Sequence, residues 1–281
     1  MSEERIMFEA CDQMVRRFEQ VIKKPVRERS SVYYTGVDLG TACVVLAVLN
    51  DRFEPVAGAY RYADVVRDGM VVDYIGAIHI VRELKEELEE KLGTELVYAA
   101  AAIPPGTDGL DSGAIKNVVQ GAGFEITALP DEPTAANAVL NIKNGAVVDI
   151  GGGTTGISIL KDGKVVYVAD EPTGGTHFSL VISGAYKLEF FEAERYKRDE
   201  AHHGELLPVL KPVIEKVSSI ISRHVSGRDV DGIYLVGGTC CLAGIEDIIQ
   251  KKTGIPTYKP KNPMFVTPLG IAKSCTQEAW E

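Results

Sequence analysis

Hydrophobic and polar residues alternate along this chain in patterns that recur in its two halves. Residues 4–24 carry Met7, Cys11, Met14, Phe18 and Val21 at steps of four and three, the narrow apolar seam of an amphipathic helix. Pro25 and the charged Arg27-Glu28-Arg29-Ser30-Ser31 run read as a linker, so the helix either packs on the domain behind it or serves as a docking element. From Val32 the pattern predicts strands over 32–37, 43–49 and 53–60 and breakers over 68–76. A helix through Ile78, Val81, Leu84 and Leu88 then stops at Gly93. Leu96 to Ile103 reads as a buried strand closed by Pro104-Pro105. A helix over 111–121 and a short strand over 125–129 follow, and Asp131-Glu132-Pro133-Thr134 opens another helix. The second half predicts strands over 146–150, 156–160 and 164–169, a long helix from about 177 to 198 and another over 206–224. A strand over 232–236, a helix over 242–252, a Pro-rich crossing and a last helix near 268–275 complete it. Such a sequence of elements predicts an α/β protein with a cleft between two analogous halves. The expected domains are 1–30 as helix and linker, 31–144 plus 256–281 as one lobe, and 145–255 as the other.

The chemistry concentrates where an apolar strand meets an acid and a glycine turn. Val147-Val148-Asp149-Ile150-Gly151-Gly152-Gly153-Thr154-Thr155-Gly156 leads into a second apolar strand. It is echoed 149 − 38 = 111 positions earlier by Gly36-Val37-Asp38-Leu39-Gly40-Thr41. Glycines let successive backbone N–H groups curl into one concavity that a phosphate can approach closely, and Thr41, Thr154 and Thr155 add hydroxyl donors. Asp38 and Asp149 repel a bare phosphate, which implies an intervening cation. Mg²⁺ suits this, because it keeps most of its waters and is held by few carboxylates. Either hairpin taken alone is also compatible with an ordinary tight turn closed by a hydrogen-bonding Asp.

Composition narrows the function further. The chain has 281 residues, 45% hydrophobic and 25% charged, the balance of a soluble globular protein. A net charge of −10 with no basic cluster argues against nucleic-acid binding through counterion release. No apolar run is long enough to span a membrane, and Ser2-Glu3-Glu4 does not begin a secretory leader. Five cysteines without a CxxC pair fit a reduced, cytoplasmic protein, with Cys240-Cys241 as small buried residues. His202-His203 among Asp199, Glu200 and Glu205 lacks metal-ligand spacing and reads as a solvated connection, and His177 as part of a helix start. No nucleophile–base pairing is visible, so acyl transfer has no support.

Taken in order, the motifs resemble the actin and heat-shock-chaperone (DnaK-like) ATPase superfamily. Its elements match Gly36 to Thr41, then Ala102-Ile103-Pro104 with Asp131-Glu132-Pro133-Thr134-Ala135-Ala136. Asp149 to Thr154, Gly174-Gly175, Glu194-Arg195-Tyr196-Lys197 and Ile233-Tyr234-Leu235-Val236-Gly237-Gly238-Thr239 follow. The resemblance spans residues 32–275 and implies an actin-like fold of two duplicated ribonuclease-H-like lobes, with ATP or ADP and Mg²⁺ in the cleft and with truncated upper subdomains. It implies that Asp38 and Asp149 hold Mg²⁺ through water and that Glu132 orients the attacking water. Gly40, Thr41, Gly151, Gly152, Gly153, Thr154, Gly174 and Gly175 would serve the phosphates, and Gly237, Gly238, Thr239, Glu194 and Lys197 the nucleoside. The compact length and Arg67-Asp68-Gly69-Met70-Val71-Val72-Asp73 resemble the ethanolamine-utilisation branch. That branch implies a client protein of the ethanolamine ammonia-lyase pathway or of a bacterial microcompartment.

Two departures shape the expected activity. The chaperones follow their second hairpin with an acid where this chain has Gly156, and they use a lysine for which residues 49–71 offer only Arg52, Arg61 and Arg67. A slow ATPase acting as a chaperone-like or reactivating factor is the first expectation, and a nucleotide-gated scaffold or filament former without significant turnover is the second. A small-molecule kinase is disfavoured because no base stands in a recognisable substrate loop.

Overall fold

A strand buried on both faces needs no polar alternation, and each half of the chain builds its sheet around one. The computed structural model describes residues 3–27, 30–67, 69–105 and 109–276. The chain folds as unit 1, Met1–Asn141 with Phe265–Glu281, and unit 2, Ile142–Met264.

Unit 1 contains β1 (Tyr34–Leu39), β2 (Cys43–Leu49), β3 (Pro55–Tyr62), β6 (Tyr98–Ala101) and β7 (Glu125–Ala128), in the order β3-β2-β1-β6-β7. Unit 2 repeats this with β8 (Gly145–Ile150), β9 (Thr155–Lys161), β10 (Lys164–Glu171), β11 (Ile233–Val236) and β12 (Thr257–Tyr258), in the order β10-β9-β8-β11-β12. In both units the first three strands pair antiparallel and the last two join in parallel. This is the duplicated ribonuclease-H-like order expected from the sequence.

The duplication extends to single hydrogen bonds. The Gly40 N–H donates to the Cys43 carbonyl at 3.1 Å, and the Gly151 N–H donates to the Thr154 carbonyl at 3.0 Å. The turns are therefore in register 111 positions apart, and Thr154 corresponds to Cys43 while Thr41 corresponds to Gly152.

In unit 1 the sheet packs on α2 (Tyr74–Leu92), whose Val81, Leu84 and Leu88 are buried with Val44, Leu46 and Val118. Asp73 caps α2 by accepting from the Gly76 N–H, and Gly93 ends it in the left-handed conformation that glycine tolerates best. Helix α9 (Val266–Ser274) runs between β1 and α4 (Glu132–Leu140). Glycine makes both approaches possible: a Cβ at Gly36 would lie 2.4 Å from the Ala272 nitrogen, and one at Gly270 would lie 1.8 Å from the Ala135 carbonyl oxygen.

The N-terminal helix α1 (Glu3–Lys23) is part of unit 1. Cys11, Val15, Phe18 and Val21 are its buried face, so Val15 takes the place expected of Met14. The ring of Phe18 fills the space left by Gly58 on β3, where a Cβ would sit 2.3 Å from it, and meets Phe265 edge-on at 5.2 Å.

Four local expectations are corrected. A two-stranded ribbon of β4 (Val66–Arg67) and β5 (Met70–Val71) runs into the breaker region at 68–76, which contributes β5. The long helix over 177–198 is two helices, α5 (Gly175–Tyr186) and α6 (Phe190–Arg198), because Lys187 turns left-handed with φ +56°. Next, α7 (His203–Val225) begins earlier than expected and buries His203, whose ring bonds the Lys197 carbonyl and accepts from the Ala243 N–H. Cys240 is buried as expected, whereas Cys241 is exposed.

Candidate functional site

Within unit 2 the glycine hairpin between β8 and β9 is tied down by its carbonyls. The Gly151 carbonyl accepts from the Gly175 N–H at 2.9 Å and from the Thr239 hydroxyl at 2.7 Å, and the Gly152 carbonyl accepts from the Thr176 N–H at 2.8 Å. The start of α5 and the turn of Gly238–Cys241 therefore hold one side of the loop. In a trans peptide the N–H points away from the preceding carbonyl, so the amides of Gly152 and Gly153 face the opposite side. That outward set of donors is the arrangement that binds an anion.

Glycines shape the seat. A Cβ at Gly174 would lie 2.8 Å from the Gly151 and Gly152 carbonyl oxygens, and one at Gly175 would lie 2.5 Å from the Thr239 hydroxyl. Gly237 has φ +91°, and a Cβ there would lie 2.3 Å from Asp149 Oδ1. Gly151 differs: its nearest neighbour to a Cβ is the Thr154 carbonyl at 3.7 Å, ordinary contact distance. Packing within the protein does not require glycine at this position.

Lys197 and Glu194 lie on α6 beneath the start of α5. The Lys197 ammonium donates to the Gly175 carbonyl at 2.9 Å, the Ser179 hydroxyl at 2.8 Å and Glu194 Oε1 at 2.8 Å. Their side chains are 12% and 14% exposed, and burial holds the ammonium below the ordinary lysine range. Such a buried pair orients its surroundings more than it stabilises the fold. Lys197 fixes the Gly174-Gly175 turn, as the Thr239 hydroxyl fixes the hairpin.

A second carboxylate accompanies Asp149. Asp149 on β8 pairs with Gly156 on β9, and Gly156 pairs with Asp170 on β10, so the two acids flank a residue without a side chain. Burial pushes the Asp170 carboxyl up to about 6; a hydrogen bond from the Thr154 hydroxyl opposes this, and the charge of Asp149 adds to it. The Oδ1 atom of Asp170 is buried without a hydrogen-bond partner. An orphaned carboxylate oxygen beside another acid is chemistry that accepts a cation, so these residues fit a hydrated Mg²⁺. The sequence reading passed over Asp170; what could have found it is an acid two strands from Asp149 at the end of the same sheet.

Unit 1 carries the other expected residues. Asp38, Gly40 and Thr41 stand partly exposed at the matching hairpin. Glu132 is the first residue of α4: Asp131 caps the helix by accepting from the Thr134 N–H at 2.9 Å, and the Glu132 N–H donates to the Ile103 carbonyl at 3.0 Å. A carboxylate at a helix start is favoured by the helix dipole. Arg52 pairs with Glu54 at 3.2 Å, Arg61 with Glu83, and Arg67 with Asp64 at 3.3 Å.

Known proteins are similar to this chain in sequence and fold. A family model described as MreB/Mbl protein matches residues 58–190, and one described as type IV pilus assembly protein PilM matches residues 125–266. The ethanolamine utilization protein EutJ of Salmonella typhimurium is 45% identical over 242 residues, 86% of this chain and 85% of the relative. Its Escherichia coli K12 counterpart is 44% identical over 250 residues, 89% and 88% of the two chains. A chaperone protein HscA homolog of Burkholderia thailandensis is 27% identical over 73% of this chain and 41% of its own length. The crystal structure of EutJ from Carboxydothermus hydrogenoformans superimposes with a TM-score of 0.89 at 47% identity, covering 96% of this chain and 99% of that one. MreB5 of Spiroplasma citri bound to ADP shares the fold at a TM-score of 0.67 and 19% identity, over 85% and 95% of the two chains. The chain belongs to the EutJ family of ethanolamine utilization proteins and has the actin-like ATPase fold.

Proposed function

We propose that this protein binds ATP or ADP with Mg²⁺ and uses the nucleotide to switch its hold on a client protein of ethanolamine utilisation, as a chaperone-like or reactivating factor. The observation that carries nucleotide binding is the unit 2 hairpin, whose carbonyls are tied back while its amides face outward. The ADP- and AMPPNP-bound MreB5 structures and the HscA chaperone homologs support the same reading. In it, the amides of Gly152 and Gly153 take phosphate oxygens, as do Gly40 and Thr41 of unit 1, while the Thr154 hydroxyl holds Asp170. Gly237 and Gly238 line the nucleoside, while Gly174, Gly175, Glu194, Lys197 and Thr239 keep the surrounding turns in place. Asp38 and Asp149 hold the cation through its waters, and Glu132 orients a water at the start of α4. When bound, Mg²⁺ supplies charge neutralisation at the phosphates.

Turnover is slow in this reading. The arginines at 52, 61 and 67 are each committed to an acidic neighbour, and no lysine lies between residues 49 and 71. Lacking a free transition-state cation costs orders of magnitude in rate. The same observation favours a second reading, a nucleotide-gated scaffold without significant turnover. Its mark is ATP-dependent, concentration-dependent light scattering with no phosphate release.

The deciding experiment is calorimetric titration of the protein with Mg-ATP beside Asp149→Ala. The wild type binds, and the variant binds about 10- to 100-fold more weakly, the size expected for one charged hydrogen-bonding group. A folded wild type that shows no heat of binding refutes the proposal.

A further inference from the structure

The cross-strand row at the mouth of the unit 2 hairpin has an acid at each end and a gap in the middle. Asp149, Gly156 and Asp170 are successive partners across β8, β9 and β10. Residues directly opposite one another in antiparallel strands project on the same face of the sheet, so Asp149 and Asp170 share a face across Gly156. Two strand spacings put their Cα atoms roughly 10 Å apart. Two carboxylates on one face over that span leave room for a hydrated divalent ion, which binds through its waters rather than in a close cage.

Three further features turn Asp170 toward such a ligand. Its Oδ1 is buried with no partner, a costly arrangement unless another group satisfies it. Its carboxylate accepts from the hydroxyl of Thr154, so it is fastened to the glycine hairpin itself. Immediately beyond it, Glu171 is turned the other way, bonded to Arg223 at 2.7 Å and His224 at 2.7 Å, and does not compete for the site.

We propose that Asp170, on the same sheet face as Asp149 across Gly156, is a further carboxylate of the cation site beside Asp38 and Asp149, supplied from β10. This rests on the nucleotide reading above. Asp170 acts on the hydration shell of the cation and thereby positions the phosphates; the hairpin amides bind the phosphates without it.

The test compares ATP binding by the wild type and Asp170→Asn, each with Mg²⁺ and with EDTA. The carboxamide keeps the size of the side chain and removes a charge from a buried place, so the variant is expected to fold. Asp170→Ser repeats the measurement with a side chain too short to reach the cation. The expected result is that Mg²⁺ strengthens ATP binding by the wild type, that this enhancement falls about tenfold in both variants, and that affinity in EDTA is unchanged or higher. Retention of the full Mg²⁺ enhancement by the variants overturns the assignment and leaves nucleotide binding intact. Equal loss of affinity with Mg²⁺ and with EDTA marks Asp170 as a structural residue and overturns it too. A folded wild type that binds ATP under neither condition overturns the nucleotide reading and this assignment together.

Discussion

Gly270→Ala is expected to destabilise unit 1 by on the order of 3–5 kcal/mol, although helix propensity alone favours the change by about 0.5–1 kcal/mol. The conflict is decided by distance. A Cβ at residue 270 would lie 1.8 Å from the Ala135 carbonyl oxygen and 2.4 Å from its carbonyl carbon, and both are backbone atoms of α4. No rotamer change relieves a clash with main chain, so α9 or α4 must move. Neither moves cheaply: a Cβ at Gly36 would already be 2.4 Å from the other side of α9, and Leu269 and Ile271 are fully buried. The control is Gly184→Ala in α5, an exposed helical glycine with open space around it, which should gain a few tenths to about 1 kcal/mol from propensity. Urea unfolding of both variants reads the contrast. A Gly270→Ala midpoint equal to wild type would mean that α4 and α9 are not in main-chain contact. The consequence is functional, because α4 carries Glu132 at its first position.

The features legible in the sequence are those whose signal is local. Apolar runs at 32–37, 43–49, 146–150 and 156–160 separated by acid-and-glycine turns announce the paired hairpins, and Asp131-Pro133 announces the start of α4. What escaped reading depends on partners distant in sequence or on conformations with no residue signature. Lys187 breaks the expected long helix in a left-handed conformation usually marked by glycine or asparagine, so its side chain gave no warning. A seam at steps of four and three selects Met14, but the buried face follows the surface that β3 offers, and Val15 lies on it. The glycines at 36 and 270 look unremarkable in sequence; only the approach of α9 to β1 and α4 gives them a role. Asp170 becomes visible only when strand register places it opposite Gly156. The resemblance assigns Lys197 and Thr239 to the nucleoside. Their hydrogen bonds are with Gly175, Ser179, Glu194 and Gly151, so they act on the turns.

Two glycines of unit 2 separate the hairpin's position from its binding surface. Gly174→Ala is expected to weaken Mg-ATP binding about 100-fold or more, because its Cβ would be 2.8 Å from the carbonyl oxygens of Gly151 and Gly152 and from the carbonyl carbon of Gly153. The whole loop must shift, and losing two amide–phosphate hydrogen bonds of about 1.5–3 kcal/mol each accounts for that factor. The same shift breaks the bonds from Gly175 and Thr176 to the hairpin, so the variant should also unfold at lower urea. Gly151→Ala is the informative counterpart. Its Cβ meets nothing closer than 3.7 Å, and its φ is not in the left-handed region, so the fold has no objection to alanine. If glycine is there to let a phosphate approach the main chain, Gly151→Ala retains wild-type stability yet loses about tenfold or more in nucleotide affinity. Stability and affinity that are both unchanged in Gly151→Ala would show that the ligand does not come within reach of that Cα. Loss of affinity in Gly174→Ala alone would then locate the contacts at the Gly152 and Gly153 amides, beyond the reach of a methyl group on Gly151.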